Sequence, residues 1–141
     1  MSRLTFRLLL DDSVPLSPDD AAGVVLLEGC GREARTSYCR VDEWLHELAN
    51  GLSEFETAMD ECWIDFSADR EAMRLARTGE MVVVEFGGSE WTLPHEELAK
   101  AARDAVAELV RAFSGFRPFA EGSPLARLDE WLALQDGPRT P

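Results

Sequence analysis

Between Pro94 and Gly115 the apolar residues Leu98, Ala101, Ala102, Ala105, Val106, Leu109, Val110 and Phe113 recur at the spacing of one face of an α-helix. So regular a stripe must lie on an apolar layer, and the rest of the chain has to supply that layer. Pro94 suits the helix start, where its missing N–H costs nothing, and Glu96 and Glu97 follow where the helix macrodipole favours negative charge. Gly115 is placed to end the helix.

The layer is read from alternation. Arg3 to Leu10 alternates polar with apolar, becomes continuously apolar and stops at Asp11-Asp12, which predicts a strand with one buried face. After a loop over 11–23 rich in Pro, Ser and Asp, Val24 to Glu28 predicts a second strand. A Gly29-Cys30-Gly31-Arg32 turn then leads into a third strand over Ala34 to Arg40. Val41, Trp44, Leu45, Leu48, Ala49 and Leu52 return to helical spacing, with Asp42 and Glu43 in the first turn. Gly51 is expected to weaken or end this helix, leaving Phe55 and Met59 to continue the stripe in a second segment.

Cys62 to Phe66 reads as a short strand. Residues 70–77 fit either a helix capped by Asp69 or a strand. The shared parity of Glu71, Met73, Leu75 and Arg77, ahead of Thr78-Gly79 and the run Met81 to Phe86, favours a hairpin. Gly87-Gly88-Ser89 then turns the chain back as Glu90 to Leu93. Past the long helix, Phe116 to Ser123 predicts a loop pinned by its aromatics, followed by a helix from Pro124 to Leu134 with Leu125, Leu128, Trp131 and Leu132 inward. No internal repeat is visible. The expectation is one α+β domain over 1–134 with a loose tail over 135–141: an antiparallel sheet of about five to seven strands, with two main helices and a short C-terminal helix packed on one face.

Composition narrows what such a domain can do. A chain of 141 residues, 45% of them hydrophobic, can bury roughly 68% of its unfolded surface, enough for a single core. Fourteen basic residues against 27 acidic ones give a net charge of -13, the wrong sign for holding nucleic acid phosphate or an anionic membrane. No stretch approaches the roughly 18 apolar residues of a membrane span, and Arg3 and Arg7 interrupt what would be a signal peptide's apolar region, so a cytoplasmic protein is expected. Cys30, Cys39 and Cys62 are odd in number and lack any CxxC, which fits a reducing compartment. A Cys30–Cys39 bridge across the hairpin stays open if the two Cα atoms lie within about 7 Å.

Familiar chemistries find little support. His46-Glu47-Leu48-Ala49-Asn50 begins like a zinc-binding HExxH helix, but Asn50 stands where the second histidine belongs, and His95 is the only other histidine. No base stands in a recognisable relation to any cysteine, and GxSxG, GxxxxGK and GxGxxG are all absent. Asp60, Glu61, Asp65 and Asp69 lack the pattern of an EF-hand loop. Neither a catalytic group, a resident metal nor a cofactor is expected.

The charge distribution is more telling. From Val41 to Asp69 there are nine acidic residues and no Lys or Arg, so this window carries -9 of the net -13. Asp42, Glu43 and Glu47 fall opposite the apolar stripe of their helix and predict a negative outer face. Such a run suits a solvated face, a divalent-ion site or a docking face for a basic protein, where concentrated charge speeds encounter. The docking reading places Glu43, Glu47, Glu54, Glu56, Asp60, Glu61 and Asp65 against the partner's Arg and Lys. Trp63, flanked by Glu61 and Asp65, or Phe55 supplies the apolar anchor.

The acidic Trp44-Leu45-His46-Glu47-Leu48 helix, the Met81 to Phe86 strand and the Trp91-Thr92-Leu93-Pro94 strand-to-helix junction give a layout that resembles the small acidic immunity proteins of bacterial polymorphic toxin systems. That resemblance implies a cytoplasmic α+β domain that neutralises a cognate toxin, frequently a basic nuclease, by stoichiometric binding and without chemistry of its own. Spaced carboxylates that imitate nucleic acid phosphates are a variant of this reading. The alternative is a small-molecule or divalent-metal-binding domain, or an enzyme, with acidic side chains in a cleft between sheet and helices, and joint mutation of Asp60, Glu61 and Asp65 is what would separate it from the binding reading. A subunit of an obligate complex is a third.

Overall fold

The computed structural model describes residues 4–13, 15–58, 60–67 and 69–136. Arg3, Met59 and the tail 137–141, on which some of the expectations fall, lie outside the described residues. Among the described residues, two four-stranded antiparallel sheets and three α-helices make up the α+β fold. The first sheet holds β1 (Thr5–Leu10), β2 (Ala22–Gly29), β3 (Arg32–Arg35) and β4 (Cys39–Arg40). Here β2 is central: β1 pairs along one edge, and β3 and β4 share the other. The second sheet is a meander of β5 (Glu61–Asp65), β6 (Ala72–Thr78), β7 (Met81–Phe86) and β8 (Ser89–Pro94). Each set of four strands is followed by an 18-residue helix, α1 (Val41–Ala58) and α2 (His95–Ala112), so the halves repeat an architecture without repeating a sequence. A 3₁₀ turn at Ser114–Phe116 and α3 (Pro124–Asp136) complete the chain.

The single sheet expected from alternation is thus divided in two. Side chains bridge the β2–β3 hairpin and β8 where a backbone ladder would otherwise form: Arg32 of β3 donates to the Glu90 carbonyl, Trp91 Nε1 to the Gly29 carbonyl at the end of β2 at 2.9 Å, and Ser89 Oγ to the Glu33 carbonyl of β3 at 3.0 Å. Strands joined through side chains stand too far apart to pair directly. The expected strand over Ala34 to Arg40 is also broken, because the Thr36 hydroxyl takes the Val25 N–H at 3.0 Å in place of a main-chain carbonyl. Cys39 faces Gly23 at one end of β2, while Cys30 follows Gly29 at the other. At about 3.3 Å per residue that is roughly 20 Å, which rules out the bridge.

Trp44 of α1 joins the two halves. Its fully buried ring stacks on Phe66 at 4.3 Å, meets Phe86 of β7 edge-on at 5.9 Å and leans on Phe6 of β1 at 6.2 Å. Aromatic pairs of this kind contribute about 0.5–1.5 kcal/mol each beyond burial. Around them the α1 stripe and the inward faces of both sheets form one core, closed by Leu98, Val106 and Leu109 of α2 and Leu125 and Leu128 of α3.

Several local expectations change. Helix α1 runs through Gly51 without a break, since the glycine sits where a side chain would run into Ile64 of β5. Residues 70–77 adopt the hairpin, most of them within β6, and the turn after β7 places Gly87 at φ 57° and Gly88 at φ 82°, the left-handed pair a two-residue hairpin demands. Pro94 caps α2 rather than opening it, and the helix ends by tightening into the 3₁₀ turn, so Gly115 is not its C-cap. Helix α3 extends to Asp136, taking in two residues expected in the tail.

Candidate functional site

Period-2 alternation divides β5 between two environments. Cys62 and Ile64 turn into the core, while Glu61, Trp63 and Asp65 face outward, leaving the Trp63 side of the sheet 58% exposed at that indole. On α1, Glu43, Glu47, Asn50 and Glu54 follow helical spacing along one face. Where the two elements run side by side they enclose a groove of about 220 Å³, rimmed by Glu47, Asn50 and Glu54 on the helix and by Trp63 and Asp65 on the strand, with Ile64 and Gly51 also lining it. The absence of a side chain at Gly51 is what lets the helix come so close.

Of the eight residues expected to meet a partner, Glu47, Glu54, Trp63 and Asp65 line this groove, and Glu43 and Glu61 lie beside it. Glu47 is already engaged: its carboxylate accepts the Ser67 N–H at 3.1 Å and the Ser67 hydroxyl at 2.9 Å. Glu61 is ion-paired with Arg74 of β6 at 2.7 Å. That carboxylate, with Glu85 adding to it, holds the guanidinium above its ordinary pKa. Glu56 instead points toward α2, 3.7 Å from His95 Nε2, and exposed Asp60 belongs to the α1–β5 turn, where its carbonyl accepts from Arg77 N at 2.8 Å. Neither lines the groove. Phe55 is no anchor, being fully buried beneath the Arg77 guanidinium at 4.5 Å.

Asp42 overturns the expected outer face most sharply. It is fully buried, and Arg40 forks onto it with Nε–Oδ1 3.2 Å and Nη2–Oδ2 2.9 Å. Conversely, a second depression of about 300 Å³ on the other side of Trp63 draws Glu71, Glu85 and Glu90 into the same acidic surface. Those residues come from outside the acidic window. The pairing of Glu85 with Glu90 across the Gly87-Gly88 turn is the signal that could have placed two of them together.

The remaining candidates carry less chemistry. Burial, reinforced by Arg127, lowers the His46 pKa, and Asn50 Nδ2 lies 3.5 Å from its Nε2. Burial raises the thiol pKa of Cys39 and Cys62, which favours the unreactive thiol form. Among the described residues no three His, Cys, Asp or Glu side chains gather as metal ligands would. A cleft between sheet and helix does exist at β1 and α2, of about 280 Å³, with Glu97, Lys100 and Asp104 at its rim. It holds none of Asp60, Glu61 and Asp65, and Lys100 is paired with Asp104 at 2.7 Å. No helix among the described residues is long and apolar enough to cross a membrane. No family model, curated protein or solved structure matches the chain.

Proposed function

We propose that the chain is a cytoplasmic protein-binding module of the immunity type, a stoichiometric inhibitor that captures a basic partner such as a toxin domain. The observation that carries this reading is Trp63, an indole 58% exposed on a sheet face with acid-lined depressions on both sides. A large exposed aromatic is costly to leave in water, and it is the residue type most enriched at the energetic centre of interfaces. The surrounding carboxylates raise the encounter rate with a cation-rich surface and select against acidic ones. Arg74, held between Glu61 and Glu85, keeps the sheet face ordered without cancelling its charge.

The test is affinity capture of the tagged chain from its native lysate, washed at low and then high salt, in parallel with a Glu54→Lys, Asp65→Lys double variant. A basic protein recovered in stoichiometric amount, released by salt and missing from the variant, is the expected result. A partner held equally by both chains and indifferent to salt overturns the reading.

A further inference from the structure

The strand that carries Trp63 is the end of its sheet: in the order β5-β6-β7-β8, β5 has a neighbour on one side only. Which of its backbone groups are left over follows from the register. Arg77 N donates to the Asp60 carbonyl at 2.8 Å, Cys62 faces Leu75, and Ile64 faces Met73. Hydrogen-bonded and non-hydrogen-bonded pairs alternate in an antiparallel ladder, so Asp60, Cys62 and Ile64 direct their backbone groups to β6. Glu61, Trp63 and Asp65 direct theirs the opposite way, toward the groove beneath α1. Among the described residues no other backbone group bonds to them. The residues whose side chains form the acidic aromatic face are therefore the ones whose amides and carbonyls line the open edge.

We propose that this edge is where the partner docks, by adding a cationic extended segment as an antiparallel strand to β5. The inference rests on the binding reading above and specifies its geometry. Strand addition supplies main-chain hydrogen bonds for affinity and alternating side-chain positions for selectivity. Residues of the incoming strand opposite Glu61, Trp63 and Asp65 share their face of the sheet, where arginine meets two carboxylates and lies over an indole. The intervening residues face the Ile64 and Gly51 side of the groove, which takes small apolar side chains. Among the other edge strands of the described residues, β1 is a poorer match for a cationic strand: β1 carries Arg7, and Lys100 stands in the cleft beside it.

A synthetic peptide of alternating arginine and valine probes the edge directly, with titration calorimetry and amide hydrogen exchange read by NMR. Binding at low salt should slow exchange at the Glu61, Trp63 and Asp65 amides by about tenfold or more. In the antiparallel register the arginine residues turn their amides toward β5. N-methylating the arginine amides should therefore weaken binding by about tenfold or more, while N-methylating the valine amides should not. Equal effects of the two methylation patterns, or unchanged exchange at the three amides, overturn strand addition and leave the charge-driven reading standing. Failure of the parent peptide to bind overturns strand addition as well. Failure of the binding reading itself would show separately, as a captured partner indifferent to salt and to the Glu54→Lys, Asp65→Lys exchange.

Discussion

The Glu47 carboxylate, midway along α1, receives both the N–H and the hydroxyl of Ser67, at 3.1 Å and 2.9 Å, and so ties the helix to the chain leaving β5. That bond fixes the width of the groove beside Trp63. Hydrogen bonds to a charged acceptor contribute about 1.5–3 kcal/mol, and solvent access puts this pair at the lower end. Glu47→Ala should cost about 1.5 kcal/mol in urea denaturation. Glu47→Gln, which keeps an acceptor, should cost less. Equal losses from the two variants would mean that the charge, not the bond, holds the loop.

Gly51 reverses an ordinary rule. In an exposed helix interior, glycine to alanine gains roughly 1 kcal/mol, but here the new methyl group meets the Ile64 side chain. Overpacking costs about 1–3 kcal/mol, so Gly51→Ala should lower the thermal midpoint despite the better helix former. Adding Ile64→Val should recover part of the loss. A Gly51→Ala variant more stable than the parent would contradict the close approach of α1 to β5.

These two positions show where reading the sequence succeeds and stops. The α2 stripe and the shared parity of Met73 and Leu75 ahead of Met81 to Phe86 were legible, because each depends on period alone. Trp63 stood out because its neighbours Glu61 and Asp65 share its parity and cannot both be buried. Gly51 misled because its role lies in Ile64, a contact no local pattern announces. Asp42 misled for a related reason: its partner Arg40 sits on β4, and only the folded turn into α1 brings the fork around the carboxylate. Division into two sheets depends on Arg32, Ser89 and Trp91 side chains reaching between strands. Periodicity says nothing about such contacts.

The Arg40–Asp42 pair gives a non-additive prediction. Removing Arg40 leaves a fully buried carboxylate uncompensated, so Arg40→Met should cost about 3 kcal/mol. The double variant Arg40→Met, Asp42→Leu removes the stranded charge along with the bond and should be closer to the parent than Arg40→Met alone. Chemical denaturation of the two variants checks the order. If the double variant is the less stable one, Asp42 matters through the Glu43 N–H it accepts at 3.0 Å rather than through its charge.

His46 makes stability depend on pH in a definite direction. Its folded-state pKa is depressed by burial and by Arg127, against the opposing pull of Glu47 and Asp42, so the unfolded chain takes up the proton first. Stability from this group is complete above the ordinary imidazole value of 6.5 and is lost as pH falls from there through the lower folded value. The ordinary carboxylate values are about 4.3 and below, so the interval between there and 6.5 is the one in which to look for the histidine. His46→Gln should flatten the fall in urea midpoint across that interval. An unchanged slope would mean that burial of His46 does not set the pH dependence.

Once a partner is in hand, kinetics separates charge from contact. Glu54→Lys and Asp65→Lys act mainly on encounter, and each should slow association by about tenfold at low salt, with the difference shrinking as the Debye length falls to about 8 Å at physiological ionic strength. Trp63→Ala removes a contact made only after docking, so it should leave association nearly unchanged and raise the dissociation rate, costing about 2 kcal/mol. Glu56→Lys, on the side facing α2, should change either rate less than Asp65→Lys does. The contrast matters because a purely solvating surface would show none of it. A Trp63→Ala chain that dissociates no faster than the parent would move the anchor away from β5, whatever the salt dependence of association.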